Sequence, residues 1–91
     1  MDHCITHDHA ASRFFTEVDG LRCVLDYMLQ SEVMTITHTG VPVAVGGQGV
    51  AGALTRCALD TARSRGWKVR PVCSYANIYL ERHPEYADLV V

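Results

Sequence analysis

The chain has 91 residues, 48% of them apolar and 20% charged, the size and composition of one globular domain with a modest core. No apolar run approaches the roughly 18 residues of a membrane-spanning helix, so no membrane partner is expected. Eight Lys and Arg against ten Asp and Glu leave a net charge of −2, which gives no general attraction for a phosphate backbone and argues against nucleic acid.

The chain opens with a polar, acidic stretch, unlike a signal peptide. His3, Cys4, His7 and His9 lie within it. A histidine at position three can chelate copper or nickel with a free amino terminus, but terminal segments are usually poorly ordered. Residues 1–12 are therefore expected to be a flexible tail holding no metal, and residues 13–91 a single domain. Cys4, Cys23, Cys57 and Cys73 contain no Cys-x-x-Cys pair and lie in mainly apolar surroundings, which suits reduced thiols and a cytoplasmic location.

From Arg13 the pattern is extended. "RFFTEV" leads into Asp19-Gly20, a pair that favours a tight hairpin, and then "LRCVLDYML" alternates Leu21, Cys23, Leu25, Tyr27 and Leu29 with mostly polar neighbours. After "QSE", the stretch "VMTITHTGV" sets Val33, Thr35 and Thr37 on one face and Met34, Ile36 and His38 on the other. Gly40 and Pro42 end this third strand. Val50, Leu54, Cys57 or Ala58, and Thr61 or Ala62 then recur at helical spacing, which predicts a helix from about Gly49 to Arg65, stopped by Gly66. "WKVRPV" reads as a fourth strand, and a short helix starts at Cys73-Ser74 and stops before Pro84. The order β-β-β-α-β-α makes an α/β (α+β) domain with a mixed, mainly antiparallel sheet of about four strands and two helices.

"VAVGGQGVAGAL" crowds glycines between a strand and a helix. Such a run is either a flexible connector or a turn whose bare amides meet an anion at the positive end of the helix. Other glycine motifs fail on context. The preceding strands are sequentially antiparallel, against a dinucleotide fingerprint, and no Lys-Ser or Lys-Thr follows the last glycine, against a Walker loop. Gly46-Gly47-Gln48 lacks the basic segment expected beside a release-factor tripeptide, and Gly46 to Gly49 lacks the upstream helix of a KH loop.

His38-Thr39 with Val41-Pro42, the glycine run into Ala51-x-x-Leu54, Pro71-x-Cys73-Ser74-Tyr75 and Arg82-His83-Pro84-Glu85-Tyr86 occur in one order. Together they resemble the small single-domain branch of the GCN5-related N-acetyltransferases, over about Phe14 to Val90. The resemblance implies the reduced acyl-CoA N-acyltransferase fold and transfer of an acetyl group from acetyl-coenzyme A to a primary amine. It also implies a diphosphate-binding loop, matched by Gly46, Gly47, Gln48, Gly49, Val50 and Ala51, with Val41, Cys73 and Ser74 as further cofactor contacts. Gly46 departs from the pattern, which has Arg or Gln there. The branch lacks the superfamily's usual front helices, so a non-catalytic acyl-coenzyme-A-binding module is the alternative.

Acetyl transfer needs a neutral amine, donors for the developing oxyanion and a proton for the departing thiolate. His38, with a reference pKa near 6.5, either serves proton transfer or caps backbone at the strand end. Cys73, at a strand-to-helix junction, is either a nucleophile activated by the helix terminus or an inert buried thiol. Ser74 reads first as a helix cap and second as a cofactor contact. Tyr75 and Tyr79 read as core, and Arg82-His83 either meets adenosine phosphates or ends the helix. Either a monomer or a weak homodimer, paired through an exposed sheet edge, is expected.

Overall fold

The computed structural model describes residues 3–91. Five strands form one sheet in the order β1 (Thr6–Asp8), β2 (Arg13–Val18), β3 (Leu21–Gln30), β4 (Val33–Gly40) and β5 (Lys68–Pro71). The first four pair antiparallel, and β5 joins β4 in parallel. That parallel pairing requires a crossover, supplied by α1 (Val50–Arg65). After β5 come α2 (Ser74–Arg82) and a 3₁₀ segment over Pro84–Leu89. The α/β class and the three-strand, helix, strand, helix order stand as the sequence pattern predicted.

Turn chemistry explains the two central hairpins. Asp19 and Gly20 have φ of 52° and 78°, and Ser31 and Glu32 have φ of 52° and 63°. Both loops thus turn with two left-handed residues, the twist that matches flanking strands, although the second does so without glycine.

Alternation decides which side is buried. Phe14, Cys23, Leu25, Met34, Ile36 and Val69 are fully buried on one face of the sheet, where Leu54, Ala58, Leu59 and Ala62 of α1 join the same core. The opposite face carries Arg13, Phe15, Val24, Asp26, Thr35 and Arg70, with Met28 62% exposed. Among the described residues no helix covers it.

The helix ends follow from glycine. Gly49 caps α1 at φ 76° with no side-chain cap, and Gly66 ends it at φ 73°, where Trp67 N–H reaches the Ala62 carbonyl at 2.8 Å. Ser74 was expected to cap α2, but Cys73 is the N-cap residue and Ser74 the first helical one, because Asn77 N–H closes the first turn on the Cys73 carbonyl.

A second correction concerns the amino-terminal stretch. Residues 1 and 2, which a copper or nickel chelate at His3 would need, lie outside the described residues. Thr6–Asp8, expected within a flexible tail, instead pairs with Arg13, Phe14 and Phe15 as strand β1. The reason is His7, whose ring stacks on buried Phe14 at 4.0 Å between centroids and whose Nε2 lies 2.6 Å from the Tyr27 hydroxyl. A histidine is apolar enough on its faces and polar enough at its rim to replace the missing hydrophobic anchor.

Candidate active site

The glycine run resolves into a defined path. A single 3₁₀ turn over Val43–Val45 follows Pro42, Gly46 is extended at φ −65°, and Gly47 and Gly49 are left-handed at φ 82° and 76°. No neighbour lies within 4 Å of where a Cβ would stand on Gly47 or Gly49, so conformation and not crowding requires glycine there. Among the described residues the amides of Gly47, Gln48 and Gly49 meet no backbone acceptor. The first bond of α1 runs from Ala53 N–H to the Gly49 carbonyl at 3.0 Å. Val50, Ala51 and Gly52 therefore sit before any acceptor that the helix itself can offer. Gly46, expected among the diphosphate donors, differs: its N–H is engaged by the Val43 carbonyl at 3.1 Å. Val41 and Val50 turn apolar side chains toward the core, Val50 being 2% exposed, so Val50 offers a ligand its amide alone.

The first turns of α1 and α2 lie side by side. A Cβ on Gly52 would stand 3.4 Å from the Tyr75 hydroxyl and 3.8 Å from the Tyr79 ring. Tyr75 itself is 39% exposed, so it is a wall of the site and not a core residue. Tyr79 stacks on His83 at 3.8 Å, which ties His83 to α2. The side chains of Tyr75 and Tyr79 thus reach from α2 to the first turn of α1, and each helix amino terminus carries roughly half a positive charge.

β4 supplies the other wall. Its pairing with β5 ends at Ile36 and Pro71, and the Ile36 carbonyl then accepts from both Val72 N–H at 3.1 Å and Cys73 N–H at 2.9 Å. From Thr37 to Gly40, β4 continues without a β5 partner. The two strands part at Cys73.

Here the structure corrects the expected faces of β4. Tyr27 pairs with Ile36, but Asp26 pairs with His38, so Thr37 is an extra residue in the ladder. Beyond this bulge Thr39 sits opposite buried Leu25, on the core side, while His38 sits opposite Asp26 on the uncovered face. A one-residue insertion exchanges the two sides of every later residue. His38 and Cys73 are consequently not brought together. The His38 ring folds over Gly40, where a Cβ would lie 2.9 Å from Nε2, and Asp26 is held by Arg13 at 2.6 Å.

Thr39, which strict alternation had placed on the face away from Cys73, is the residue that meets it, with Sγ and Oγ1 3.5 Å apart. Burial pushes the Cys73 thiol up, but backbone N–H groups of Ala76, Tyr75 and Thr39 and the Thr39 hydroxyl more than offset it, and the net shift is downward. Cys23 and Cys57 behave oppositely, raised by burial. Of the four cysteines, only Cys73 combines a helix amino terminus with a lowered thiol pKa. The signal for Thr39 was present in the sequence only as the His38-Thr39 pair, and no periodicity argument locates a bulge.

A separate groove of about 710 Å³ runs between β1 and α1, lined by His3, His7, Arg56, Cys57 and Asp60 among others. Neither Cys73 nor Thr39 borders it. Among the described residues no three of His, Cys, Asp and Glu form a group that could hold a metal ion, and no helix is long and apolar enough to cross a membrane.

Known proteins are similar to this chain in sequence and fold. A family profile described as GCN5-related N-acetyl-transferase matches residues 13–89. Protein NATD1 of chicken and of mouse is 30% identical over 83 residues, covering 88% of this chain and 76% of theirs. Human NATD1 is likewise 30% identical, with 74% of its length covered. A GCN5-like protein of the N-acetyltransferase type from Staphylococcus aureus, solved in solution by NMR, superposes with a TM-score of 0.74 at 28% identity, over 96% of this chain and 86% of that one. The chain belongs to the GCN5-related N-acetyltransferase family.

Proposed function

We propose that this family member binds acetyl-coenzyme A across the turn before α1 and transfers its acetyl group to a primary amine. The observation that supports it is the parting of β5 from β4 beyond Ile36 and Pro71, where the amino terminus of α2 sets Cys73 beside Thr39 and Tyr75 reaches the first turn of α1. The amides of Gln48, Gly49, Val50 and Ala51 would hold the diphosphate, since unpaired N–H groups and a helix dipole are the usual cradle for such an anion. Ser74 is exposed on the first turn of α2 and has its hydroxyl available to the same ligand.

Cys73 is the group for a two-step route. As thiolate it attacks the acetyl carbonyl; the new carbon–sulfur bond forms as the bond to the coenzyme sulfur breaks, and the coenzyme leaves with the electron pair and takes up a proton. A neutral amine then attacks the Cys73 thioester, loses a proton and regenerates the thiolate. His38, on the uncovered face beside the unpaired end of β4, would take the proton of an amine arriving from that side. In a direct route the amine attacks the coenzyme thioester itself, and Cys73 only lines the channel.

The deciding experiment is a thermal-shift titration with acetyl-coenzyme A, because a ligand of the folded state must raise stability by mass action. Gly49→Val forces a β-branched residue into φ 76°, at a cost of roughly 1–2 kcal/mol, and is expected to remove the response while the protein still folds. An undiminished response would remove the loop from the site. The uncovered sheet face favours a second reading, an acyl-coenzyme-A-binding module without its own acceptor site. Binding with no thiol release across a panel of amines would support that reading.

A further inference from the structure

We propose that Thr39 is a positioning residue for the acyl-transfer sulfur: the β4 bulge delivers its hydroxyl beside Cys73, where it hydrogen-bonds Sγ and stabilises the anionic form. This rests on the reading of Cys73 as acyl carrier. Without the extra residue at Thr37, strict alternation would continue from Ile36 and set His38 on the core side, with Thr39 on the uncovered face. With it, Thr39 faces the same side as Leu25 and lies 3.5 Å from Sγ. The bulge is held from within, since the Thr37 hydroxyl donates to the Asp26 carbonyl at 3.3 Å, and among the described residues the Thr39 side chain makes its hydrogen bond to Cys73 alone.

The chemistry follows from the geometry. A neutral thiol donates to the Thr39 oxygen; once the proton has left, the same hydroxyl rotates and donates to the sulfur. Backbone N–H groups of Tyr75, Ala76 and Thr39 also favour the anionic sulfur, and the Thr39 hydroxyl, 3.5 Å away, adds a donor that can reverse. When the sulfur attacks the acetyl carbon its negative charge passes to the departing sulfur, and Thr39 keeps its own proton throughout. A threonine serves here and a histidine would not, because a hydroxyl adds no charge in either state of the thiol.

The test is the pH dependence of Cys73 alkylation by iodoacetamide, in a Cys4→Ser background that removes the exposed thiol and with the modified peptide identified by mass. Thr39→Val keeps the shape and removes the donor. Its alkylation midpoint is expected to rise by about one pH unit, with a roughly three- to tenfold slower reaction at neutral pH, while Thr39→Ser restores the parent midpoint. Thr39→Ala gives the same comparison if valine disturbs the bulge, and an amide NMR spectrum reports whether each variant is folded. Unchanged midpoints in folded Thr39→Val and Thr39→Ala would overturn the proposal. A raised midpoint, in protein that never forms acetyl-Cys73 on incubation with acetyl-coenzyme A, would uphold Thr39 and dismiss the acyl-carrier reading. An acetyl-Cys73 adduct with no dependence of the midpoint on Thr39 would do the reverse.

Discussion

Single residues at φ above zero carry strain that a glycine would relieve. Ser31 and Glu32 turn the β3–β4 hairpin at φ 52° and 63°, a conformation costing an L-residue roughly 1 kcal/mol or more. Both are exposed, so no packing repays it. Glu32→Gly is expected to raise the stability by about 0.5–1 kcal/mol after its extra unfolded-state entropy is subtracted, read as a higher urea midpoint at constant slope. At the site the residue to test is Cys73, whose backbone is unstrained at φ −64°. Brief incubation with acetyl-coenzyme A should add one acetyl group to the intact mass of the parent protein and none to Cys73→Ala. Full amine acetylation by Cys73→Ala would leave only the direct route.

Elements respond to pH through one histidine. In β1 the His7 ring is held below the ordinary imidazole value, chiefly by burial and then by His9 and Arg65, with Asp8 pulling the other way. Around it stand Phe14 and Tyr27 from the sheet, His9 in the turn that follows β1, and Arg65 of α1, whose guanidinium lies 3.2 Å from His9. A folded-state pKa below the unfolded value of about 6.5 means that the neutral ring is favoured by folding. The stability it contributes is complete above that pH and is lost as pH falls through the folded value. The expected outcome is a loss of amide protection in β1, measured against the intrinsic exchange rate, as pH falls below about 6.5, with β3 and β4 unaffected. His7→Phe should abolish this dependence. Equal protection of β1 above and below that pH would refute the anchoring role of His7.

For the whole molecule, the carboxy-terminal 3₁₀ segment locks the helix layer to the sheet. Tyr86 donates to Asp60 of α1 at 2.7 Å, Arg63 of α1 holds Asp88 through two bonds of 2.9 Å, and Val90 bridges to Val69 of β5. Burial and the Asp60 carboxylate raise the Tyr86 phenol to about 12. A raised acid pKa favours the protonated form in the fold, so this stabilisation is full below about pH 10 and lost as pH rises toward 12. Of the four tyrosines, one should titrate last in phenolate absorbance, and Tyr86→Phe should remove it at a cost of about 1 kcal/mol. A parent protein whose tyrosines all titrate together would contradict this lock.

What could be read from the residues alone was whatever has a local cause. Alternation over Leu21–Leu29 set the buried face of β3, Asp19-Gly20 set a hairpin, and Gly49 and Gly66 bounded α1, because each depends on backbone conformation or on neighbours a few positions away. The glycine run and the strand-to-helix setting of Cys73 were legible for the same reason. Two features were decided by contacts distant in sequence. β1 exists because His7 meets Phe14 and Tyr27. Thr39 replaced His38 beside Cys73 because β3 and β4 accommodate one extra residue in their pairing. Periodicity counts positions along one strand, whereas a bulge belongs to the pair, and only the folded sheet decides where the count slips.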